Sequence, residues 1–296
     1  MRAESNFPLE REGRGHDVEI LLKFMRHGER DKDGNLEDIG RDITRQRAQE
    51  SGIQAGDFDA VKAIGSDAGP QNETSSMQRA LETAHIYAQE IEGDEAFKTR
   101  VNSVLSFENL ATPKPYDHNA IYRANLPANF DELDPEEKIK ATKIANASVV
   151  KHLFKLKGEQ VEQFKKELAG SSAYVIEHYV GTVKRLKDGS KVLIPAGGHG
   201  AMLEFILQQA LVFENKDGKS QVGFDDLEEI GGELDPSEAF NITIKTDASG
   251  GLEDVVVSFD RPDRPQGEMH LDRTKVRELS EFYQELHPVK KWEREK

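Results

Sequence analysis

Strand-like and helix-like segments alternate along the first third of this chain, and this alternation constrains the possible folds more than any other feature. Residues 18–25 (VEILLKFM) and 60–65 (AVKAIG) predict buried strands, and residues 101–107 predict a third strand. Residues 38–50 predict a helix after the first strand, and the apolar residues of 76–91 recur at helical spacing after the second. Strands that alternate with helices favour an α/β fold with a largely parallel sheet.

The alternation stops between residues 109 and 170. A segment rich in Pro, Asn and Asp is followed there by a helix start, with Asp134 as N-cap and Pro135 at the first helical position. We interpret 109–170 as a loop-and-helix insertion into one domain that covers residues 16–290, behind a flexible tail of residues 1–15. We further expect helical stretches around 161–168 and 175–183, a strand at 191–196, a helix at 201–212, a polar loop, a hairpin of 239–246 and 254–259, and a final helix at 272–286.

Composition narrows the class of protein. The chain has 296 residues, enough for a sizeable core, and it has no cysteine, which excludes disulfide frameworks, thiolate nucleophiles and Cys-ligated metals. Its 55 acidic and 40 basic residues give a net charge of −15, which disfavours nucleic-acid and anionic-membrane partners. The sequence shows no long apolar run and no signal-peptide pattern, so we expect a cytoplasmic location.

The end of the first predicted strand carries the most informative residues, the run Arg26-His27-Gly28-Glu29-Arg30. In open α/β sheets, ligands bind at the carboxyl ends of the strands. Arginine offers a planar fork to phosphate oxygens, and histidine acts both as nucleophile and as proton carrier. The run therefore predicts a phosphate site, although Arg30 could instead be a surface arginine paired with Glu29 or Asp31.

Three other strand ends add to this pocket. Arg79 lies near the start of the helix after the second strand, and Glu108 lies just beyond the third. His199 follows the late strand and directly precedes a helix. Together these positions predict a cationic pocket with one acid, a role that Glu73, Glu82 or Asp117 could fill in place of Glu108. No spacing of His or carboxylate residues suggests a metal site.

In order and spacing, these motifs resemble those of the histidine phosphatase superfamily, also called the phosphoglycerate-mutase-like family. The resemblance rests on Arg26-His27-Gly28, on the helix start 79–84 (RALETA) and on His199-Gly200, and it covers roughly residues 18–285. It implies an α/β three-layer sandwich with a mostly parallel central sheet, into which residues 109–170 are inserted as a variable helical cap.

The resemblance also implies a role for each residue. His27 corresponds to the nucleophile that becomes a phosphohistidine, and Glu108 resembles the acid found after the third strand in one large branch of the family. The phosphoryl oxygens would be held by Arg26, Arg30, Arg79 and His199, of which His199 also counts as catalytic.

The function that follows is a metal-independent phosphatase, without a cofactor, that hydrolyses the phosphomonoester of a small molecule or a phosphoprotein. Two alternatives stay open. A phosphoglycerate-type mutase would use the same histidine but return the phosphoryl group to a bound intermediate. A non-catalytic protein on the same fold would only bind a phosphorylated ligand.

Overall fold

The computed structural model describes residues 13–30, 34–66, 78–93, 98–101, 105, 117–214, 218–267 and 269–288, and these contain one nine-stranded sheet and seven α-helices. The strand order is β3-β2-β4-β1-β7-β8-β9-β5-β6. The strands are β1 (Glu19–Arg26), β2 (Ala60–Gly65), β3 (Lys98–Val101), β4 (Lys191–Gly198), β5 (Leu211–Glu214), β6 (Ser220–Val222), β7 (Ala239–Lys245), β8 (Val256–Phe259) and β9 (Met269–Leu271). The α-helices are α1 (Asp38–Glu50), α2 (Arg79–Glu92), α3 (His118–Ala124), α4 (Pro135–Lys155), α5 (Glu159–Val183), α6 (Met202–Ala210) and α7 (Arg273–Leu286).

One half of the sheet is parallel, as the alternation predicts. Strand β4 pairs in parallel with β1 on one side and with β2 on the other, and β2 pairs in parallel with β3. Residues of β1 alternate between two hydrophobic clusters: Ile20, Leu22 and Phe24 pack among α5 and α6, whereas Met25 packs with residues of α1 and α2. Apolar side chains on both faces are typical of a strand covered by helices on both sides.

The other half corrects the prediction of a mostly parallel sheet. Of the eight strand pairs formed by the described residues, five are antiparallel: β1–β7, β7–β8, β8–β9, β9–β5 and β5–β6. A parallel pair needs a crossover of about a dozen residues, usually a helix. Between β5 and β9 the described chain contains no α-helix: apart from the strands β6, β7 and β8 it has only turns and the 3₁₀ turn Leu227–Ile230. No crossover helix is therefore present in this part, and the strands pair in antiparallel fashion.

Several element predictions are confirmed, among them β1, β2, β4, α1, α2, α7 and the β7–β8 hairpin. Others are wrong in detail. The two helical stretches at 161–168 and 175–183 are one continuous helix, α5, which passes through the predicted end of the insertion at residue 170. The helix predicted to reach residue 212 ends at Ala210, and the following "polar loop" contains β5 and β6.

Two further predictions fall at the edge of the described chain. The third strand ends at Val101, where the predicted strand 101–107 begins, and of the later residues in that range only Leu105 is described. In the predicted tail, residues 1–12 lie outside the described residues, whereas Arg14 forms a β-bridge with Lys187 and the Gly15 amide donates to the Leu186 carbonyl. The division into tail, domain and insertion stays a prediction.

None of the helices in the described ranges combines the length and the apolar character needed to cross a lipid bilayer.

Candidate active site

The carboxyl ends of β1, β2 and β4 meet at one edge of the parallel half. There the His27 amide donates to the Gly198 carbonyl at 3.0 Å, and the Ser66 amide donates to the Gly197 carbonyl at 3.1 Å. The strand register therefore continues for one residue beyond β1 and β2. This is the position at which open α/β sheets bind their ligands.

His27 lies half-buried at the tip of β1 in a defined tautomer. Its Nδ1 lies 2.8 Å from the Gly28 carbonyl oxygen, which can only accept, so Nδ1 carries the proton and Nε2 carries the lone pair. Burial lowers the pKa of His27 well below its ordinary 6.5, and Arg79, His199 and Arg26 lower it further. The ring is therefore neutral near pH 7 and has a free nitrogen lone pair.

His199 lies against His27 at the tip of β4. The two rings meet edge to face, with centroids 5.2 Å apart, and His199 Nε2 lies 3.1 Å from the Ser66 hydroxyl oxygen. Burial lowers the pKa of His199 to about 3, and the charges of Arg79, Arg30 and Arg26 act in the same direction. His199 is thus a neutral imidazole that shares its surroundings with three arginines.

The start of α2 lies directly on the strand ends and brings Arg79 to the two histidines. This approach requires glycine at position 197, because a Cβ there would lie 1.9 Å from the Ala80 carbonyl oxygen. The Thr83 hydroxyl accepts from the Gly28 amide at 3.0 Å and donates to the Arg79 carbonyl at 2.8 Å, which ties the helix to the His27 turn. Arg79 Nη1 donates to the Gly34 carbonyl at 3.0 Å.

Arg26, the last residue of β1, is buried, with 6% of its surface exposed. Its Nη1 donates to the Leu234 carbonyl at 2.5 Å, and its backbone amide donates to the Glu238 carbonyl at 2.9 Å. Its Nε is buried and has no hydrogen-bond partner among the described residues. The guanidinium is therefore held from the antiparallel half of the sheet while one of its N–H groups stays available.

Arg30 lies half-buried after the turn and forms a β-bridge with Leu36. Glu29, between the two arginines of the motif, is buried. Burial raises the pKa of Glu29, although the charges of Arg26 and Arg30 oppose this effect. The structure thus brings Arg26, His27, Arg30, Arg79 and His199 together, and the roles assigned to them stay predictions.

The predicted acid, Glu108, lies outside the described residues, as does Glu73. Glu82 and Asp117 are described, and both carboxylates are engaged in other contacts. Glu82 is buried on α2 and accepts from Arg41 Nε at 2.9 Å, and the Asp117 carboxylate caps α3 by accepting from the Ala120 amide.

Sequence reasoning missed the residues that support the site. Ser66 directly follows β2 and could have been found by the strand-end rule that pointed to His27 and His199. Thr83 lies one turn after Arg79 on the same helix. Leu234 acts through its backbone carbonyl, and no side-chain pattern in the sequence indicates such a role.

The arrangement concentrates positive charge around the neutral imidazole of His27. Arginines and N–H donors fixed before the reaction stabilise the charge that develops on phosphoryl oxygens. Within the described ranges, no group of three or more His, Asp or Glu side chains is arranged to hold a metal ion.

Several solved structures are similar to the chain at low identity. A structure described as mycobacterial hydrolase 2 shares 13% identity over 90% of this chain and 98% of its own, with a TM-score of 0.44. Mycobacterial glucosyl-3-phosphoglycerate phosphatase shares 13% identity over 83% of this chain and 100% of its own, with a TM-score of 0.41. The protein histidine phosphatase SixA, complexed with tungstate, shares 10% identity over 85% of this chain and 96% of its own, with a TM-score of 0.30.

No protein-family model and no curated protein sequence matches the chain. Structural similarities at such low identity assign no activity to the chain.

Proposed function

We propose that this chain is a histidine phosphatase, which hydrolyses a phosphomonoester through a phosphohistidine on His27 without a metal ion. One observation carries the proposal: His27 donates from Nδ1 to the Gly28 carbonyl, which leaves the Nε2 lone pair free, in the same pocket as His199, Arg26 and Arg79. A neutral imidazole with its proton fixed on one nitrogen is the form that attacks phosphorus.

In the first step, the Nε2 lone pair of His27 forms a bond to phosphorus, and the ester P–O bond breaks. The alcohol oxygen leaves with the bonding pair and takes a proton from an acid, for which Glu108 is the first candidate. Arg26, Arg79 and Arg30 balance the charge on the phosphoryl oxygens, a task that metal ions perform in kinases.

In the second step, water attacks phosphorus, and the P–N bond breaks with its electron pair returning to Nε2. The conjugate base of the same acid takes the proton from the water, and inorganic phosphate leaves. The low pKa of His27 supports this step, because a weakly basic nitrogen is a good leaving group from phosphorus.

The test is to trap the intermediate. After brief incubation with a ³²P-labelled phosphomonoester and alkaline quenching, we expect acid-labile, alkali-stable label on His27. EDTA should leave turnover unchanged, and vanadate should inhibit. Turnover that stops in EDTA and returns with magnesium or zinc would contradict the proposal, as would turnover with no label in His27.

The acid can be assigned by the leaving group. Glu108→Gln should lower the rate on alkyl phosphates by about 10²–10⁴-fold, because an alkoxide leaves poorly without a proton. Nitrophenolate leaves largely unaided, so the rate on nitrophenyl phosphate should fall far less. Equal small losses on both substrates would move the role to another carboxylate. Isomerisation of a phosphoglycerate in the presence of its bisphosphate would replace hydrolysis by mutase activity.

A further inference from the structure

The loop of residues 231–238, which we call the Arg26 strap, passes over Arg26 just before β7 begins. The Leu234 carbonyl accepts from Arg26 Nη1, and the Ser237 amide donates to the Arg26 carbonyl at 3.1 Å. Ser237 has a left-handed backbone, with φ of 59°, and its hydroxyl bonds the Thr44 hydroxyl at 2.8 Å. A non-glycine residue in this conformation is strained and persists where the surrounding contacts over-determine it.

A buried carboxylate on α6 holds the Arg26 strap from the other side. Glu204 has no exposed surface, and its Oε1 accepts from the Leu234 amide at 3.0 Å. The Leu234 residue is therefore clamped at both polar groups: its N–H by Glu204 and its carbonyl by Arg26. A chain of two hydrogen bonds connects the carboxylate to the guanidinium.

Burying this carboxylate is unfavourable in itself. Burial raises the pKa of Glu204, whereas the charge of Arg26 and nearby backbone N–H groups act against this rise. Its second oxygen, Oε2, is buried without a hydrogen-bond partner among the described residues. A polar group kept at such a cost, in contact with the residue that orients Arg26, indicates a role beyond packing.

The base of the Arg26 strap is anchored separately by Arg264. Arg264 and Glu238 form a buried ion pair, with Arg264 Nε donating to Glu238 Oε1 at 2.7 Å and both side chains 1% exposed. Arg264 also donates to the carbonyls of Ile230, Gly232 and Glu233. The backbone before Leu234 is thus rigid. The Leu234 carbonyl belongs to the next peptide group, whose Asp235 amide donates to Glu238 Oε2 at 2.7 Å, so Glu204 and Glu238 hold the peptide groups on the two sides of the Leu234 Cα.

We propose that Glu204 is a positioning residue for Arg26, acting through the backbone of Leu234; the phosphoryl group that Arg26 receives is the one in the proposed function. Glu204 fixes the peptide group that ends at the Leu234 N–H, and the carbonyl of the same residue holds Arg26 Nη1. The Nε edge of the guanidinium then lies against Gly200, the neighbour of His199. The contact is close, because a Cβ on Gly200 would lie 3.2 Å from Arg26 Nε. An arginine held in this way loses little side-chain freedom when an oxyanion binds.

Two conservative substitutions of Glu204 distinguish the effect of its side-chain length from the effect of its charge. Glu204→Gln keeps the side-chain length and an oxygen acceptor but removes the charge. Glu204→Asp keeps the charge but is one methylene too short to reach the Leu234 amide. If Glu204 acts by accepting from Leu234, Glu204→Gln should bind tungstate within about threefold of the wild type, and Glu204→Asp about ten- to hundredfold more weakly.

Tungstate affinity is measured by calorimetry on folded protein, and thermal unfolding is recorded for every variant. Arg26→Met provides the second arm of a double-mutant cycle: in that background, the difference between the Gln and Asp variants should vanish. Glu177→Asp and Glu177→Gln are matched controls, because Glu177 pairs with Arg273 at 2.6 Å between α5 and α7. Neither control should change tungstate affinity.

The reverse order of affinities, with Asp tighter than Gln, would overturn the proposal in favour of a charge effect. If Glu204→Asp weakened tungstate binding as much in the Arg26→Met background as in the wild type, Glu204 would have only a structural role. A wild type that binds tungstate but does not hydrolyse phosphomonoesters would remove the proposed function and leave this inference standing. A wild type that binds no tungstate would remove both.

Discussion

The two halves of the sheet contribute different groups to the candidate site. The parallel half, β3-β2-β4-β1, ends in Arg26, His27 and His199, and it carries the start of α2 with Arg79. The antiparallel half contributes no side chain of the predicted phosphate pocket, but its Arg26 strap holds Arg26 in place. The predicted reactive groups thus come from strand ends, and the neighbouring half holds one of them, Arg26, in place.

The electrostatics of the two halves differ in the same way. Around His27, burial lowers the pKa of both histidines, and the crowded positive groups lower it further. Around Glu238, opposite charges are paired: Arg264 and Arg261 both donate to its carboxylate. Perturbed groups that are not mutually neutralised are typical of functional sites, whereas paired buried charges are typical of structural ones.

The largest expected effect is that of His27→Ala in the parallel half. Removing the proposed nucleophile should lower kcat by at least about 10³-fold, while thermal stability changes little, because His27 lies on a half-buried turn. Steady-state kinetics and a melting curve measure the two quantities. If His27→Ala turned over near the wild-type rate, the nucleophile would have to be another residue, outside the parallel half.

The second prediction compares the effects of removing one arginine from each half of the sheet. Arg264→Met leaves the buried Glu238 carboxylate with the partly exposed Arg261 as its ion-pair partner and removes its buried one, so the free energy of unfolding should fall by up to about 3–5 kcal/mol. Arg79→Met should lower kcat/KM by about 10²–10³-fold, as for the loss of one donor to the reacting oxygens. Its stability should change little, because a cation at a helix N-terminus is mildly disfavoured.

Denaturant unfolding and kinetics on both variants complete this comparison. Arg264→Met combined with Glu238→Leu should recover part of the stability, because the buried charge is then absent while the carbonyls of residues 230, 232 and 233 still lack their donor. If Arg79→Met proved the less stable of the two single variants, the division into a reactive half and a supporting half would fail.

The sequence allowed the strand ends of the parallel half to be predicted, whereas in the antiparallel half it allowed only the β7–β8 hairpin to be predicted. His27, Arg79 and His199 each follow a strand with a clear hydrophobic pattern, so their positions could be deduced. Strands β5, β6 and β9 have only three or four residues, too few for a periodic pattern.

The supporting contacts were hidden for a second reason. They connect distant positions through the backbone: Glu204 meets the Leu234 amide across 30 residues, and Arg264 meets Glu238 across 26. In the sequence, Glu204 is an ordinary acid in the first turn of a helix. Only the fold shows that its carboxylate is completely buried beside Arg26.

A smaller effect should appear in the pH dependence of stability. The pKa of His199 is about 3 in the folded protein, against an ordinary 6.5. Below about pH 6.5 the unfolded chain therefore binds a proton that the folded protein does not, and stability falls as pH falls, by up to about 1.4 kcal/mol per pH unit from this residue.

The matching variant is His199→Gln, which cannot titrate. Urea unfolding at several values between about pH 5 and pH 6.5 should give a shallower loss of stability for this variant than for the wild type. Parallel curves would show that His199 titrates alike in both states and is not held neutral by burial and the nearby arginines.

The smallest expected effect tests the point at which the two halves touch. A Cβ on Gly200 would lie 3.2 Å from Arg26 Cζ and Nε, so Gly200→Ala should push the guanidinium by a few tenths of an ångström. Because Arg26 is held by the Leu234 carbonyl, it cannot move freely, and tungstate affinity should fall about fivefold, roughly 1 kcal/mol. Gly198→Ala is the control, since its Cβ would meet Leu203 at 3.4 Å, an ordinary contact, and should leave the affinity unchanged. Equal affinities for the two alanine variants would mean that Arg26 adjusts without cost, and that the Arg26 strap does not set its position.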